Sequence, residues 1–299
     1  MSRNTKGILF TIVGGIFWGL SGNFGQYLFQ EKGLNAHWLV SVRLLTAGII
    51  MILITAFNSE SRKNIFQIFK GYKNIVELLI FSVLGMLGCQ LTYYVTIEVS
   101  NACTAIVLQY TSPVIIMLYL AIRNRKMPVK SEIIALLLVI IGTFFLATHG
   151  NIHSLAISKK ALVWGLSSAV TVVFYNLVPV RLMNKYGTIT VLGLGMFIGG
   201  IVLSFFTKPW IVPGIWDYKT VFALLFLILM GTIFAFSAYL YGVRLIGACK
   251  ASLFAATEPL TSTVVGVLFM GIVMTGMDIL GLLCILLGVG VLSVGRKNE

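Results

Sequence analysis

Long apolar runs alternate with short polar breaks along the whole chain. Ten runs approach or exceed the ~20 apolar residues that a helix needs to cross the hydrocarbon core of a bilayer. They lie at about 7–29, 36–57, 75–97, 101–122, 131–149, 161–183, 188–207, 219–243, 248–271 and 277–295. The breaks between them carry turn or charge signals, among them "QEKGLNAH", "NSESRKN", "RNRKMPVK", "THGNIHS", "NKYGT" and "KPWIVPGIWDYK". In lipid, backbone polar groups must be satisfied within the protein, which favours helices for runs of this length. The expected fold is all-α and polytopic, with ten transmembrane helices.

Basic residues orient such helices, because Lys and Arg collect in cytoplasmic loops. With the N-terminus inside, sixteen of the 22 fall in inside segments. Five (Lys32, Lys159, Lys160, Lys208 and Lys219) fall outside, and Arg43 lies within a span. A missed helix would scramble this alternation. The expected location is the cytoplasmic membrane, with both termini in the cytoplasm. Composition agrees: 58% of residues are hydrophobic and 10% charged, with mean hydropathy +0.98, where soluble domains carry ~25% charged residues. The net charge of +13 implies no nucleic-acid partner, since no basic cluster interleaves with aromatics on a polar face. The first run is long and lacks a small-residue cleavage site, so it reads as a retained helix.

Residues 78–147 slide onto 224–293 without a gap, at an offset of 146. Gly85 meets Gly231, Tyr93 meets Tyr239, Cys103 meets Cys249, Thr111 meets Thr257, Pro113 meets Pro259 and Gly142 meets Gly288. Earlier helices repeat more loosely, with Gly33 against Gly187. Residues 1–150 and 151–299 are thus expected to be two five-helix units. Five is odd, so the second unit enters the membrane upside down. Inverted repeats are the architecture of secondary transporters, which bind near the midplane between the halves.

Several motifs stand in a telling order. They are "FWGLSGNF" in the first span, the arginine of "VSVRLLTAG" in the second, "TSP" and "TEP" in the fourth and ninth, and "GLLCILLGVGVL" in the last. Together, over about residues 7–295, they resemble the EamA-type members of the drug/metabolite transporter superfamily. The resemblance implies a ten-helix bundle that moves small metabolites by alternating access, many relatives exporting amino acids. The sixth span departs from the family: "SSAVTVVFYN" stands where relatives often keep a tryptophan.

Glu258 is the acidic residue deepest in a span. A carboxylate near the bilayer centre costs ~2.5–3.5 kcal/mol or more, so it should face a cavity or a partner. Pro259 removes a backbone donor and frees a carbonyl one turn earlier. Thr261 and Ser262, at i+3 and i+4, share the carboxylate's face. This set suits an ammonium group or a coupling proton. The mirrored segment offers Gln109 and Ser112 without charge. Arg43 is the other intramembrane charge; it either anchors its helix, alone or paired with Glu258, or binds a substrate carboxylate. If both charges face one cavity, they suit an amino-acid zwitterion. Trp18, Tyr93, Tyr175 and Tyr239 are candidate aromatic walls, with cation–π contact as their role. Asn23 and Asn176 are amides deep in spans that need partners.

The four cysteines form no CxxC pair and read as small buried residues, and His149 and His153 lack acidic or cysteine neighbours, so no metal site and no cofactor are expected. The first reading is a secondary transporter exporting amino acids. The alternative is an importer of a quaternary amine such as choline, for which an arginine beside the site is out of place. A membrane enzyme is the remote reading, because the spans lack a nucleophile–base pair, paired aspartates or a metal cluster. No GxxxxGK[ST] pattern points to nucleotide binding.

Overall fold

A computed structural model describes residues 2–57, 59–125, 129–151, 156–246, 251, 254–255 and 257–295. Among these residues every regular element is a helix. In chain order they are α1 (Arg3–Gln30), α2 (Ala36–Phe57), α3 (Ser59–Gln67), α4 (Tyr72–Val99), α5 (Ala102–Gln109), α6 (Ser112–Asn124), α7 (Lys130–Thr148), α8 (Lys159–Leu177), α9 (Val180–Tyr186), α10 (Thr188–Thr207), α11 (Tyr218–Val243), α12 (Thr257–Phe269) and α13 (Gly276–Gly295). Cap side chains fix several starts: Ser2, Asn101, Ser158 and Asp217 accept from the backbone N–H three residues on, filling donors that a helix leaves open.

Among the described residues, seven helical stretches are long and apolar enough to cross a membrane: α1, α2, α4, α5 with α6, α8 with α9, α10 and α11. The runs at 131–149 and 277–295 correspond to α7 and α13, of 19 and 20 residues, whose apolar stretches Ile133–Leu146 and Gly276–Val291 are shorter. The run at 248–271 is described as a helix from Thr257 onward; Cys249 and His153 lie outside the described residues. One expected break is itself helical: most of "NSESRKN" belongs to α3.

Packing pairs the helices across the chain. α2 lies along α10, α7 along α13, α1 along the second half of α11, and the second half of α4 along α8. α5 packs on α8, α12 packs on α1, and α5 touches α12. Exchanging α1 with α8, α2 with α10, α4 with α11, α5 with α12 and α7 with α13 leaves this set of contacts unchanged. Both α4 and α11 also widen into a π-turn at matching places, Phe81–Leu87 and Leu229–Phe234. Such turns break the i→i+4 ladder locally and free backbone groups for other partners. Outward surfaces stay apolar, as at Leu53, Phe205, Leu229 and Leu283, which suits contact with lipid.

Candidate substrate site

The segment around Glu258 is built by its neighbours in sequence. Pro259 has no N–H for the carbonyl four residues back, that of Ala255. That carbonyl accepts the Tyr110 hydroxyl at 2.6 Å, so the expected free acceptor is already used by the protein. Thr257 Oγ1 donates to Phe254 O at 2.9 Å, and Thr111 does the same to Leu108 O at 2.8 Å in the matching segment. Glu258 is half-buried. Among the described residues its carboxylate receives no hydrogen bond and makes no ion pair.

α12 closes on α1 beside Glu258. A Cβ at Gly19 would stand 2.6 Å from Glu258 O and 2.9 Å from Thr261 Cβ, so the approach depends on glycine. Thr261 therefore packs on α1. Ser262 is held by Asn23, whose Nδ2 donates to Ser262 O and Oγ at 3.2 Å each and to Gly19 O at 3.0 Å. Asn23 thus ties α1 to α12.

Trp18 forms the wall next to Gly19. Its ring lies 5.0 Å from those of Tyr239 and Phe236. Tyr175 continues the wall, 5.9 Å from Phe236 and stacked at 6.2 Å on Phe81. Gly22 is one turn from Trp18 on the same face of α1. The Tyr93 hydroxyl occupies the room that Gly22 leaves, 2.6 Å from where a Cβ would stand. Two buried donors here, Trp18 Nε1 and Tyr93 Oη, and one buried acceptor, Asn23 Oδ1, have no hydrogen-bond partner among the described residues. Glu258 lies within electrostatic reach of Tyr93, Tyr110 and Tyr239.

Arg43 sits 3% exposed and hydrogen-bonded through each of its three nitrogens. Nε donates to Thr232 Oγ1 at 2.5 Å, one terminal nitrogen to Gln90 Oε1 at 2.9 Å, and the other to Gly231 O at 3.1 Å. Gly231 and Thr232 belong to the π-turn of α11, and Thr232 Oγ1 donates back to Leu227 O at 3.0 Å. The guanidinium also lies 5.0 Å over the Tyr94 ring, whose hydroxyl meets Ser21 Oγ at 3.1 Å. Arg43 therefore clasps α2 to the irregular turn of α11. Its charge reaches Glu258 without forming an ion pair.

The remaining expected residues separate. Gln109 donates to Ser168 Oγ at 2.5 Å, linking α5 to α8, and Ser112 is buried at the start of α6. Asn176 is exposed and satisfied by its own helix at Val172 O, 2.9 Å away. Glu258, Trp18, Tyr93 and Tyr239 converge, whereas Arg43, Gln109 and the amide nitrogen of Asn23 are committed to bonds within and between helices. Sequence reasoning missed Gln90, Tyr94 and Thr232 as partners of Arg43. An intramembrane arginine signals that partners exist without naming them.

Comparisons with known proteins agree with this architecture. The sequence profile of the EamA-like transporter family matches residues 5–148 and again residues 159–294. The chain is 41% identical over 303 residues to YicL of Salmonella typhimurium, described as an uncharacterized inner membrane transporter, covering 100% of this chain and 99% of that one. It is 21% identical over 300 residues to the uncharacterized transporter YyaM of Bacillus subtilis, covering 95% and 93%. One crystal structure shares the fold, with TM-score 0.64 and 15% identity over 99% of both chains.

Proposed function

The chain belongs to the EamA-like transporter family, membrane transporters of the drug/metabolite type, and from that premise we propose that it exports amino acids across the cytoplasmic membrane by alternating access. In this reading ten helices form two inverted five-helix units, 1–150 and 151–299, with both termini cytoplasmic. The exchange-invariant packing and the paired π-turns support that arrangement.

One observation carries the substrate reading: a carboxylate and two donors of opposite need stand unpaired together. Glu258 accepts, whereas Trp18 Nε1–H and the Tyr93 hydroxyl donate. A buried polar group left unmatched costs about 1–3 kcal/mol. A zwitterion satisfies both kinds at once. Its ammonium goes to Glu258 and to the faces of Trp18 and Tyr239. Its carboxylate goes to the Trp18 N–H and the Tyr93 O–H. Arg43, with its nitrogens engaged, acts through its fixed positive charge, which offsets Glu258 and suits a ligand without net charge. A coupling proton is a second occupant for Glu258, in competition with the ammonium.

The quaternary amine stays as the second reading, favoured by the wall of Trp18, Tyr239 and Phe236. It leaves the two unpaired donors without a role. Counterflow in proteoliposomes decides between them. Vesicles loaded with labelled amino acids and choline-like amines should exchange amino acids, with exchange lost in Glu258→Gln. Exchange of amines alone would replace the zwitterion by the amine, and wild-type exchange by a folded Glu258→Gln protein would remove Glu258 from the site.

A further inference from the structure

The connection between α2 and α4 is both basic and aromatic. Residues 57–73 carry Arg62, Lys63, Lys70 and Lys73, all exposed. Among them stand Phe57, Phe66 and Tyr72, exposed to 88%, 69% and 84%. Helical spacing places Arg62, Lys63 and Phe66 on one face of α3. The other face, with Ile65, and the fully buried Ile68 in the turn that follows α3 pack on the protein. α3 lies against α2, α9 and α10, and Asn64 Nδ2 donates to Tyr186 O at 3.2 Å. Asn74 Nδ2 fixes the far end of the connection on the Tyr186 hydroxyl at 2.8 Å. The element is thus held rigidly to the bundle with its basic and aromatic side chains turned away from it.

That combination has a defined physical complement. Aromatic rings that expose themselves beside a membrane helix seat at the headgroup level. Lysine and arginine at that depth meet the phosphates of anionic lipids. Two acidic side chains are near in sequence. Glu77 is already paired with Arg181 at 2.8 Å, and Glu60 is the one acidic residue in a segment with four bases. We propose that the face formed by α3 and the segment up to Lys73 is a binding site for the headgroups of anionic glycerophospholipids in the adjoining leaflet. The basic side chains hold the phosphate, and Phe66 and Tyr72 enter the acyl boundary beside it. This site lies on a different element from Glu258 and does not depend on the transport reading.

The test uses the purified full chain in neutral detergent. Its unfolding midpoint is followed while dioleoylphosphatidylglycerol or dioleoylphosphatidylcholine is added. The expected result is a rise with phosphatidylglycerol, absent with phosphatidylcholine and erased by high salt, since exposed charges are screened within about a Debye length. The variant R62Q/K63Q/K70Q/K73Q should keep the lipid-free midpoint, because all four side chains are exposed, and bind phosphatidylglycerol roughly tenfold or more weakly. Native mass spectrometry of bound lipid counts that loss directly. An equal rise with both lipids, or a salt-insensitive rise in the wild-type protein, would overturn the proposal. So would full phosphatidylglycerol binding by the variant, or an equal rise with inorganic phosphate.

Discussion

Thr111 and Thr257 stand 146 residues apart, and each hydroxyl bonds the carbonyl three residues back. A proline follows two positions on in both segments. The residue between them differs: Ser112 in the first half, Glu258 in the second. The same division recurs around the π-turns. Arg43 is clasped by Gln90, Tyr94, Gly231 and Thr232. Carried through the repeat, with Gly33 on Gly187, these positions become Phe197, Phe236, Leu240, Gly85 and Met86. One half holds a buried polar clasp, and its mirror is apolar. Backbone devices repeat because both halves have to bend at the same places. Side-chain chemistry need not repeat, because an asymmetric ligand of the kind proposed above would require charge from one side only.

The comparison is broken most severely at Arg43. Arg43→Met keeps an unbranched apolar stem and removes three donors, leaving Gln90, Thr232 and the Gly231 carbonyl short of a partner. We expect a loss of about 3 kcal/mol or more in unfolding free energy, measured by denaturant unfolding in detergent. The mirrored Phe197→Leu should cost no more than about 1.5 kcal/mol. Equal losses would mean that the polar clasp stabilises no more than apolar packing does.

Glu258 is the next test, on transport rather than stability. Glu258→Gln should lower exchange roughly tenfold or more with the fold intact, while Ser112→Ala changes it less than about twofold. The double swap Ser112→Glu with Glu258→Ser sharpens the point. It moves the carboxylate to the mirrored segment, away from Trp18 and Tyr239, and should not restore exchange. Restoration would show that the site reads only the presence of a charge. The matched tyrosines give a smaller contrast. Tyr93→Phe removes an unpartnered buried hydroxyl, so stability should hold while the KM for an amino acid rises roughly three- to tenfold. Tyr239→Phe keeps its ring against Trp18 and should change KM less.

How far these features were legible varies by kind. The runs at 36–57 and 188–207 coincide with α2 and α10, because charge and glycine stop an apolar helix visibly. The threonine and proline of "TSP" mark the break between α5 and α6, since both act on nearby backbone. Faces were not legible. Asn23 and Asn176 read alike, yet one is buried against α12 and the other exposed. In lipid both faces of a helix are apolar, so hydrophobic periodicity does not tell inside from outside. The π-turns left no trace in composition, and the partners of Arg43 on α11 lie 188 and 189 residues away. The polar break at "NSESRKN" hid α3, because its inward face has few apolar residues and its length is short.

The smallest effect belongs to the ends of the frame. Lys32, after α1, pairs with Asp217, before α11, at 2.7 Å. Near the matching positions of the other half, Arg181 of α9 pairs with Glu77 of α4 at 2.8 Å. The Lys32 ammonium, then the Thr220 backbone N–H, hold the Asp217 carboxyl well below the usual carboxylate range. The hydrogen bond to Asp217 in turn raises Lys32. The depressed acid contributes stability above its unfolded value, about pH 4, and loses it as pH falls through the lower folded value. The raised base contributes below about pH 10 and loses it as pH climbs through the higher folded value. The pair is therefore fully present between those limits and weakened by salt. Asp217→Asn removes the charge and keeps an acceptor for Thr220. The unfolding midpoint of the variant should lie slightly below wild type at pH 7, and the gap should close as the pH is taken below about 4. A gap that persists in acid would assign the effect to the helix cap, and the two ends of the frame would then differ in kind.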